Sequence, residues 1–97
     1  MNTIVKEEVY DDLTNISQWY ESNAPGLALN FLHDWEDSLK EVERNPYIFQ
    51  IKFKNFRHCK LQKFPYLIIF EIEKNSIIVY AVIHGHRKPS IRYKKRK

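Results

Sequence analysis

Histidine, arginine and lysine side chains cluster at the end of an apolar run near the C-terminus. Residues 77–83 read IIVYAVI and are followed by HGHRK at 84–88. His84 and His86 lie two positions apart, so an extended strand places both imidazoles on one face. Three interpretations stay open: a metal site, which needs a third ligand, acid–base catalysis near neutral pH, or a surface role. Because the chain has only two other histidines and its acids lie mostly in predicted helices, we predict no metal and no cofactor.

Two more cationic segments accompany the first. One is RHCK at 57–60, with Lys63 close behind, and the other is RYKKRK at 92–97. If the strands that carry these segments are neighbours, their cations gather on one rim of a sheet and attract phosphate groups. The candidate residues for binding a target or a nucleic acid are Arg57, His58, His84, His86, Lys88 and Arg92.

Metal-free RNA cleavage requires a base for the 2′-hydroxyl, cations for the phosphate and an acid for the leaving oxygen. Lys60, Arg87, His86 and Tyr93 supply those side-chain types. Each also has an ordinary interpretation, as a strand-face cation, a surface histidine or an anchor for the tail. No glycine-rich phosphate loop, GxSxG motif or metal motif accompanies them. Cys59 alternates inward with its neighbours and is interpreted as a core residue, not a nucleophile.

Charge divides the chain into two unequal halves. Residues 1–50 carry a net charge of −7 and residues 51–97 a net charge of +11, which together give +4. This asymmetry favours an acidic helical half and a basic half that faces a polyanion, and the alternative is a solvated surface with a basic tail. A single cysteine, no signal-peptide core and no apolar run of about 20 residues predict a cytoplasmic protein without a membrane segment.

The first half has helical periodicity. A short strand at 3–5 precedes a helix with apolar residues at 9, 13, 16 and 20, and residues 22–26 end that helix. We place Pro25 in the first turn of a second helix that ends at Asn45-Pro46. Its apolar face is predicted to hold Ala28, Phe31, Leu32, Trp35, Leu39 and Val42. Its polar face is predicted to hold His33, Asp34, Glu36, Asp37, Lys40 and Glu41.

From residue 49 onward the period changes to that of strands. Residues 49–53 and 57–62 alternate between apolar and polar, whereas 66–72 and 77–83 are nearly continuous apolar runs joined by a turn at 73–76. The order β-α-α-β-β-β-β predicts a single α+β domain over 1–97, with an N-terminal helical hairpin packed on a twisted antiparallel β-sheet. The two most apolar strands are expected at its centre, and residues 91–97 form a basic tail.

The order and spacing of three stretches carry a family resemblance. These are DDLTNISQWYE, PGLALNFLHDWEDSLKEVERNP and FPYLIIFEIEKNSIIVYAVIHGHRKP. Together they resemble the ParE/RelE superfamily of bacterial toxins from type II toxin–antitoxin systems, also called plasmid stabilisation proteins. The resemblance implies a compact RNase-like α+β fold and a cognate antitoxin as partner. It also implies one of two targets: DNA gyrase, which ParE-like members inhibit by binding, or mRNA on the ribosome, which RelE-like members cleave.

The resemblance can be carried to individual residues. Lys60, Arg87 and Tyr93 fall at the catalytic lysine, arginine and tyrosine of RelE-like toxins, and are the candidate catalytic residues if this chain is an endoribonuclease. His58 replaces a second lysine and Leu67 replaces a strand arginine, which weakens the enzyme interpretation. We therefore favour a ParE-like gyrase inhibitor that is not an enzyme. The alternatives are a RelE-like ribosome-dependent endonuclease and a non-toxic homologue that only binds its antitoxin.

Overall fold

Residues 1–86 form two α-helices and five strands in the order that the sequence predicts. The computed structural model describes residues 1–86, and the predictions for residues 87–97 lie outside that part. The elements are β1 (Asn2–Val5), α1 (Glu7–Asn23), α2 (Leu27–Arg44), a 3-10 turn (Pro46–Ile48), β2 (Ile51–Phe53), β3 (Phe56–Lys60), β4 (Tyr66–Glu73) and β5 (Ser76–His84).

All five strands join one sheet in the order β1-β5-β4-β3-β2. From β2 to β5, each strand pairs antiparallel with the next strand in sequence, as expected for strands connected by short turns. β1 pairs with β5 in parallel, so the sheet is mixed rather than wholly antiparallel. The α+β class and the central position of the two most apolar strands are confirmed.

The helical hairpin covers one face of the sheet and buries the main core there. Val9 and Leu13 of α1 and Phe31, Trp35 and Val42 of α2 are each at most 7% exposed. They pack with strand residues from β3, β4 and β5, which are Cys59, Ile68, Phe70, Ile77, Val79 and Val82. Each fully buried large apolar side chain stabilises the fold by about 1.5–3 kcal/mol, so this layer fixes how the helices sit on the sheet.

The start of α2 differs from the prediction. The helix begins at Leu27, and Pro25 lies in the turn before it rather than in its first turn. Gly26 precedes the helix with φ of +89°, a left-handed conformation that glycine adopts without strain. The Glu21 carboxylate accepts hydrogen bonds from the backbone N–H groups of Gly26 and Ala28, with an oxygen 3.2 Å from each nitrogen. A carboxylate from the preceding helix therefore caps α2.

The opposite face of the sheet holds a second cluster. Phe56, Ile69, Tyr80, Ala81 and Ile83 are each at most 7% exposed, and their half-buried neighbours Leu67 and Ile78 are also strand residues. A register shift in the pairing of β4 with β5 leaves Tyr80 as an extra residue of β5. The shift puts both Tyr80 and Ala81 in this cluster, so the alternation of β5 changes phase at that point.

Candidate functional site

The topology brings several candidate residues to one end of the sheet. Lys60 is the last residue of β3 and pairs with Leu67 near the start of β4. His84 is the last residue of β5 and pairs with Tyr66. His86 follows in the turn after β5. Lys60, His84 and His86 therefore share the sheet end at which β3 and β5 finish.

Apolar residues surround Lys60 on its own face of the sheet. Leu67 is its partner on β4, and Ile83 is the partner of Leu67 on β5. These three partners form one row across the sheet, and the next row on the same face consists of His58 on β3, Ile69 on β4 and Ala81 on β5. Lys60 is exposed and His58 is half-buried. Within residues 1–86, these two rows offer one lysine and one histidine to a phosphate group.

Arg57 serves the structure of the neighbouring loop. It faces the helical layer, because it pairs with the core residue Phe70. Its guanidinium donates a 2.7 Å hydrogen bond to the Phe49 carbonyl and a longer one of 3.4 Å to the Tyr47 carbonyl. The same group lies 5.3 Å from the centre of the Tyr47 ring. Arg57 thus anchors the segment between α2 and β2 and lies apart from Lys60.

His84 and His86 contact each other directly. The His86 backbone N–H donates a hydrogen bond to Nδ1 of His84, with 3.1 Å between the nitrogens. Because Nδ1 accepts, the proton of a neutral His84 lies on Nε2. The His84 ring also meets the Tyr66 ring edge to face, with centroids 5.4 Å apart. In the part of the chain that the structure describes, no group of three or more His, Cys, Asp or Glu residues is arranged to hold a metal ion.

The remaining candidates fall beyond the last described residue. Arg87, Lys88, Arg92 and Tyr93 all belong to residues 87–97. The proposed catalytic trio is therefore represented in the described structure by Lys60 alone.

Asp34 corrects the prediction for α2, because it is buried and not part of the polar face. It is 5% exposed. Its carboxylate accepts hydrogen bonds from the backbone N–H groups of the β3–β4 loop, at 3.1 Å from Gln62, 2.8 Å from Lys63 and 3.0 Å from Phe64. Asp34 thereby positions the loop that follows Lys60. Its place in the buried stripe of α2, between Phe31 and Ser38, is the signal in the sequence that could have revealed this.

Aromatic rings form a cluster beside the same sheet end. Tyr20 of α1 lies 4.8 Å from Phe64 and 5.8 Å from Phe31, measured between ring centroids. Burial, followed by the neighbouring Tyr66 hydroxyl, raises the pKa of Tyr20. Trp19, which precedes the predicted apolar position 20 of α1, is 59% exposed. Trp19 forms the wall of a surface cavity.

Cys59 is confirmed as a core residue. It is 3% exposed, and burial, with smaller contributions from Glu41 and Asp34, raises its pKa to about 11. A thiol that stays protonated at neutral pH is a poor nucleophile. Separately, none of the helices within residues 1–86 is both long enough and apolar enough to cross a membrane.

The fold defines a class of protein: a small α+β domain with a helical hairpin packed on one face of a five-stranded mixed sheet. The family model described as "ParE toxin of type II toxin-antitoxin system, parDE" matches residues 4–89. Because this match spans most of the chain, the chain belongs to the ParE toxin family of type II toxin–antitoxin systems. The family resemblance seen in the sequence is thereby confirmed.

Individual relatives agree with this assignment. Toxin ParE2 of Mycobacterium tuberculosis, from strain H37Rv and from strain CDC 1551, is 29% identical over 87 residues, which are 89% of this chain and 83% of the relative. A solved chain of the chromosomal ParDE toxin–antitoxin system from P. aeruginosa superposes with a TM-score of 0.78 over 87% of this chain and 95% of its own. At 17% identity, that superposition supports the fold.

Proposed function

We propose that this chain is a toxin that inhibits DNA gyrase by binding to it, and that a cognate antitoxin neutralises it. Membership of the ParE family supports a toxin, and the replacement of two RelE-type cations by His58 and Leu67 favours gyrase over the ribosome as its target. Both gyrase and the ribosome are cytoplasmic, so the proposal also places the chain in the cytoplasm.

The row of side chains beside Lys60 is the single observation that favours an inhibitor over a nuclease. A phosphoryl-transfer site concentrates cations around the developing negative charge. The row holds Leu67 and Ile83 next to Lys60, and the neighbouring row holds Ile69 and Ala81 next to His58. Apolar side chains cannot stabilise the negative charge that develops in phosphoryl transfer, so these two rows of the described sheet support binding more readily than cleavage.

A supercoiling assay tests the proposal. Purified chain is expected to block supercoiling of relaxed plasmid by gyrase, and a premixed equimolar antitoxin is expected to restore it. A type I topoisomerase assay under the same conditions is the control for nonspecific binding of the basic chain to DNA. Undiminished supercoiling at saturating toxin would reject gyrase as the target.

A second candidate is a ribosome-dependent mRNA endonuclease that uses Lys60, Arg87 and Tyr93. The observation in its favour is the exposed position of Lys60 at the sheet end that also holds His84 and His86. Arg87→Ala is then expected to abolish codon-phased cleavage of mRNA on ribosomes, whereas Lys63→Ala in the neighbouring loop retains it. Wild-type chain that leaves ribosomal mRNA intact would dismiss this candidate.

A third candidate is a non-toxic homologue that only binds its antitoxin. Induced expression of soluble chain without a growth defect would favour it over both toxin mechanisms. For all three candidates the antitoxin is expected to copurify, since a basic sheet end attracts an acidic disordered segment. Co-expression with the neighbouring small gene product that yields no complex would remove the antitoxin from the proposal.

A further inference from the structure

Large apolar side chains are exposed where the chain passes from α2 to β2. Tyr47 and Ile48 of the 3-10 turn are 60% and 66% exposed, and Ile51, the first residue of β2, is 47% exposed. Phe49, between them in sequence, packs on the core instead, with its ring centroid 5.8 Å from that of Phe70. Exposed apolar side chains that lie together and have polar neighbours mark interaction sites.

The Arg57 side chain holds these residues in one arrangement. Arg57 pairs with Ile51 across the edge of the sheet. Its guanidinium lies 5.3 Å from the centre of the Tyr47 ring and donates a 2.7 Å hydrogen bond to the Phe49 carbonyl. Tyr47 and Ile51 are therefore both neighbours of one guanidinium. An aromatic ring held in this way before binding loses little conformational entropy when a partner covers it.

The charge carried by this part of the chain is positive. Residues 45–63 contain five lysine or arginine residues and no aspartate or glutamate. Lys52 and Lys54 are both exposed beside the apolar side chains of β2. The two acids that precede this stretch have partners of their own, since Glu41 forms an ion pair within α2 and Glu43 accepts a hydrogen bond from a threonine of β1. A surface of this kind is complementary to carboxylates.

These exposed residues form one surface, called here the β2 patch. Its members are Tyr47, Ile48, Ile51, Lys52 and Lys54. Tyrosine, arginine and large apolar side chains are typical of the centre of a protein–protein interface, and lysines are typical of its rim. The β2 patch combines these types, with Arg57 behind the tyrosine.

The edge of β2 does not suit an added strand. β2 has three residues, and its pairing with β3 shifts register between Ile51 and Phe53. Short edge strands with irregular pairing and lysine side chains resist pairing with a further strand. A second copy of this chain would also bring Lys52 and Lys54 against the same charges. The occupant that fits is therefore the acidic surface of a different, folded protein.

We propose that the β2 patch docks on an acidic surface of gyrase. Tyr47 and Ile48 enter an apolar recess of that surface, and carboxylates around the recess meet Lys52 and Lys54. Arg57 is a positioning residue, because it acts through Tyr47. The choice of gyrase rests on the proposed function, whereas the exposure and charge of the β2 patch do not.

A pair of matched variants tests the docking by affinity. Ile48→Glu places a carboxylate within the β2 patch and is expected to raise the Kd for immobilised gyrase at least about tenfold. Leu29→Glu makes the same change at a 58% exposed position of α2 and is expected to bind within about twofold of wild type. Because both positions are exposed, both variants are expected to keep the wild-type urea midpoint. Equal Kd values for the two variants would overturn the docking surface but leave gyrase as the target. Wild-type chain that does not bind gyrase would reject the target and the inference together.

Charge reversal tests the same surface without touching its apolar residues. Lys52→Glu is expected to slow association with gyrase at least about fivefold at low ionic strength, and this difference is expected to shrink in about 0.5 M salt. Lys40→Glu, at an exposed position of α2, changes the net charge equally and is expected to slow association less than about twofold. Equal slowing in the two variants would contradict a local contact between Lys52 and carboxylates.

Three further measurements separate gyrase from other occupants. Duplex DNA, the antitoxin and a second copy of the chain are each tested against wild-type chain and Ile48→Glu, by fluorescence anisotropy, titration calorimetry and sedimentation. The proposal expects these three interactions to be equal in the two proteins. If Ile48→Glu weakens one of them as much as it weakens gyrase binding, the β2 patch belongs to that partner and the proposal is overturned.

Discussion

Asp34 is a buried carboxylate that organises a loop instead of reaching solvent. Three backbone N–H groups of the β3–β4 loop donate to its two oxygens, and the Ser38 hydroxyl lies 3.4 Å from Oδ1. Such an arrangement is stable because several hydrogen-bond donors replace the water that the carboxylate loses on burial. The loop carries Lys63 and leads from Lys60 to Tyr66, so one residue of α2 holds the segment between two strands of the site.

Replacing this carboxylate should destabilise the fold. Asp34→Asn keeps the size of the side chain but turns an NH₂ group toward N–H donors, which leaves at least one backbone donor unsatisfied. We expect the free energy of unfolding to fall by about 2–4 kcal/mol, measured by urea denaturation. Asp37→Asn, at an exposed position of the same helix, is the control and is expected to change it by less than about 0.5 kcal/mol. Equal losses for both variants would contradict the loop-clamping role.

At the scale of elements, the hairpin of β4 and β5 is the largest continuous unit of the sheet. Glu73 pairs with Ser76, so the strands are joined by the two residues Lys74 and Asn75. Lys74 has φ of +55°, a left-handed conformation that side chains with a Cβ adopt at a cost. The tight turn sets the register of both strands, and with it the pairing of Tyr66 with His84 at the opposite end.

Relieving the turn should stabilise the hairpin. Lys74→Gly is expected to raise the free energy of unfolding by about 0.5–1 kcal/mol, because glycine adopts positive φ without the Cβ penalty. The matched control is Asn75→Gly, at a position without positive φ, which is expected to give no gain because glycine only adds unfolded-state entropy there. Thermal unfolding of both variants measures the difference. A loss of stability in Lys74→Gly would show that its side chain contributes more than its backbone strain costs.

At the scale of the whole molecule, each face of the sheet buries an ionisable side chain, a thiol on one face and a phenol on the other, whose pKa is raised by the fold. Cys59 lies on the helical side, and burial raises its pKa from 9.0 to about 11. Tyr80 lies on the opposite side, where burial, and then its 3.0 Å hydrogen bond to Glu71, raises its pKa to about 12. Both groups release their protons more readily in the unfolded chain than in the folded one.

This difference predicts a loss of stability in alkali. A group with a raised pKa in the folded state contributes its full stability below the unfolded pKa and loses it as pH rises through the folded pKa. The urea midpoint is therefore expected to be steady up to about pH 9 and to fall between about pH 9 and 12. The double variant Cys59→Ala/Tyr80→Phe is expected to be less stable at pH 7 but to decline less steeply. Parallel declines in the two proteins would contradict the assignment.

Local patterns predicted most of the fold because they depend on short-range geometry. Apolar residues at helical spacing marked α1 and α2, and the runs at 66–72 and 77–83 marked the two central strands. The turn between those runs was also predicted, since Lys74-Asn75 is flanked by strand-forming residues. The same patterns did not reveal that Asp34 is buried or that Trp19 is exposed, because each depends on which element packs against that side of the helix.

The sequence by itself determined the order of elements, the α+β class, the family resemblance and the set of cationic residues, since periodicity and composition act along the chain. Only the tertiary structure decided that β1 pairs in parallel with β5 and stops at Val79, that Arg57 turns to the helical face, and that Leu67 and Ile83 lie beside Lys60. These features depend on strand register, which brings together residues far apart in sequence.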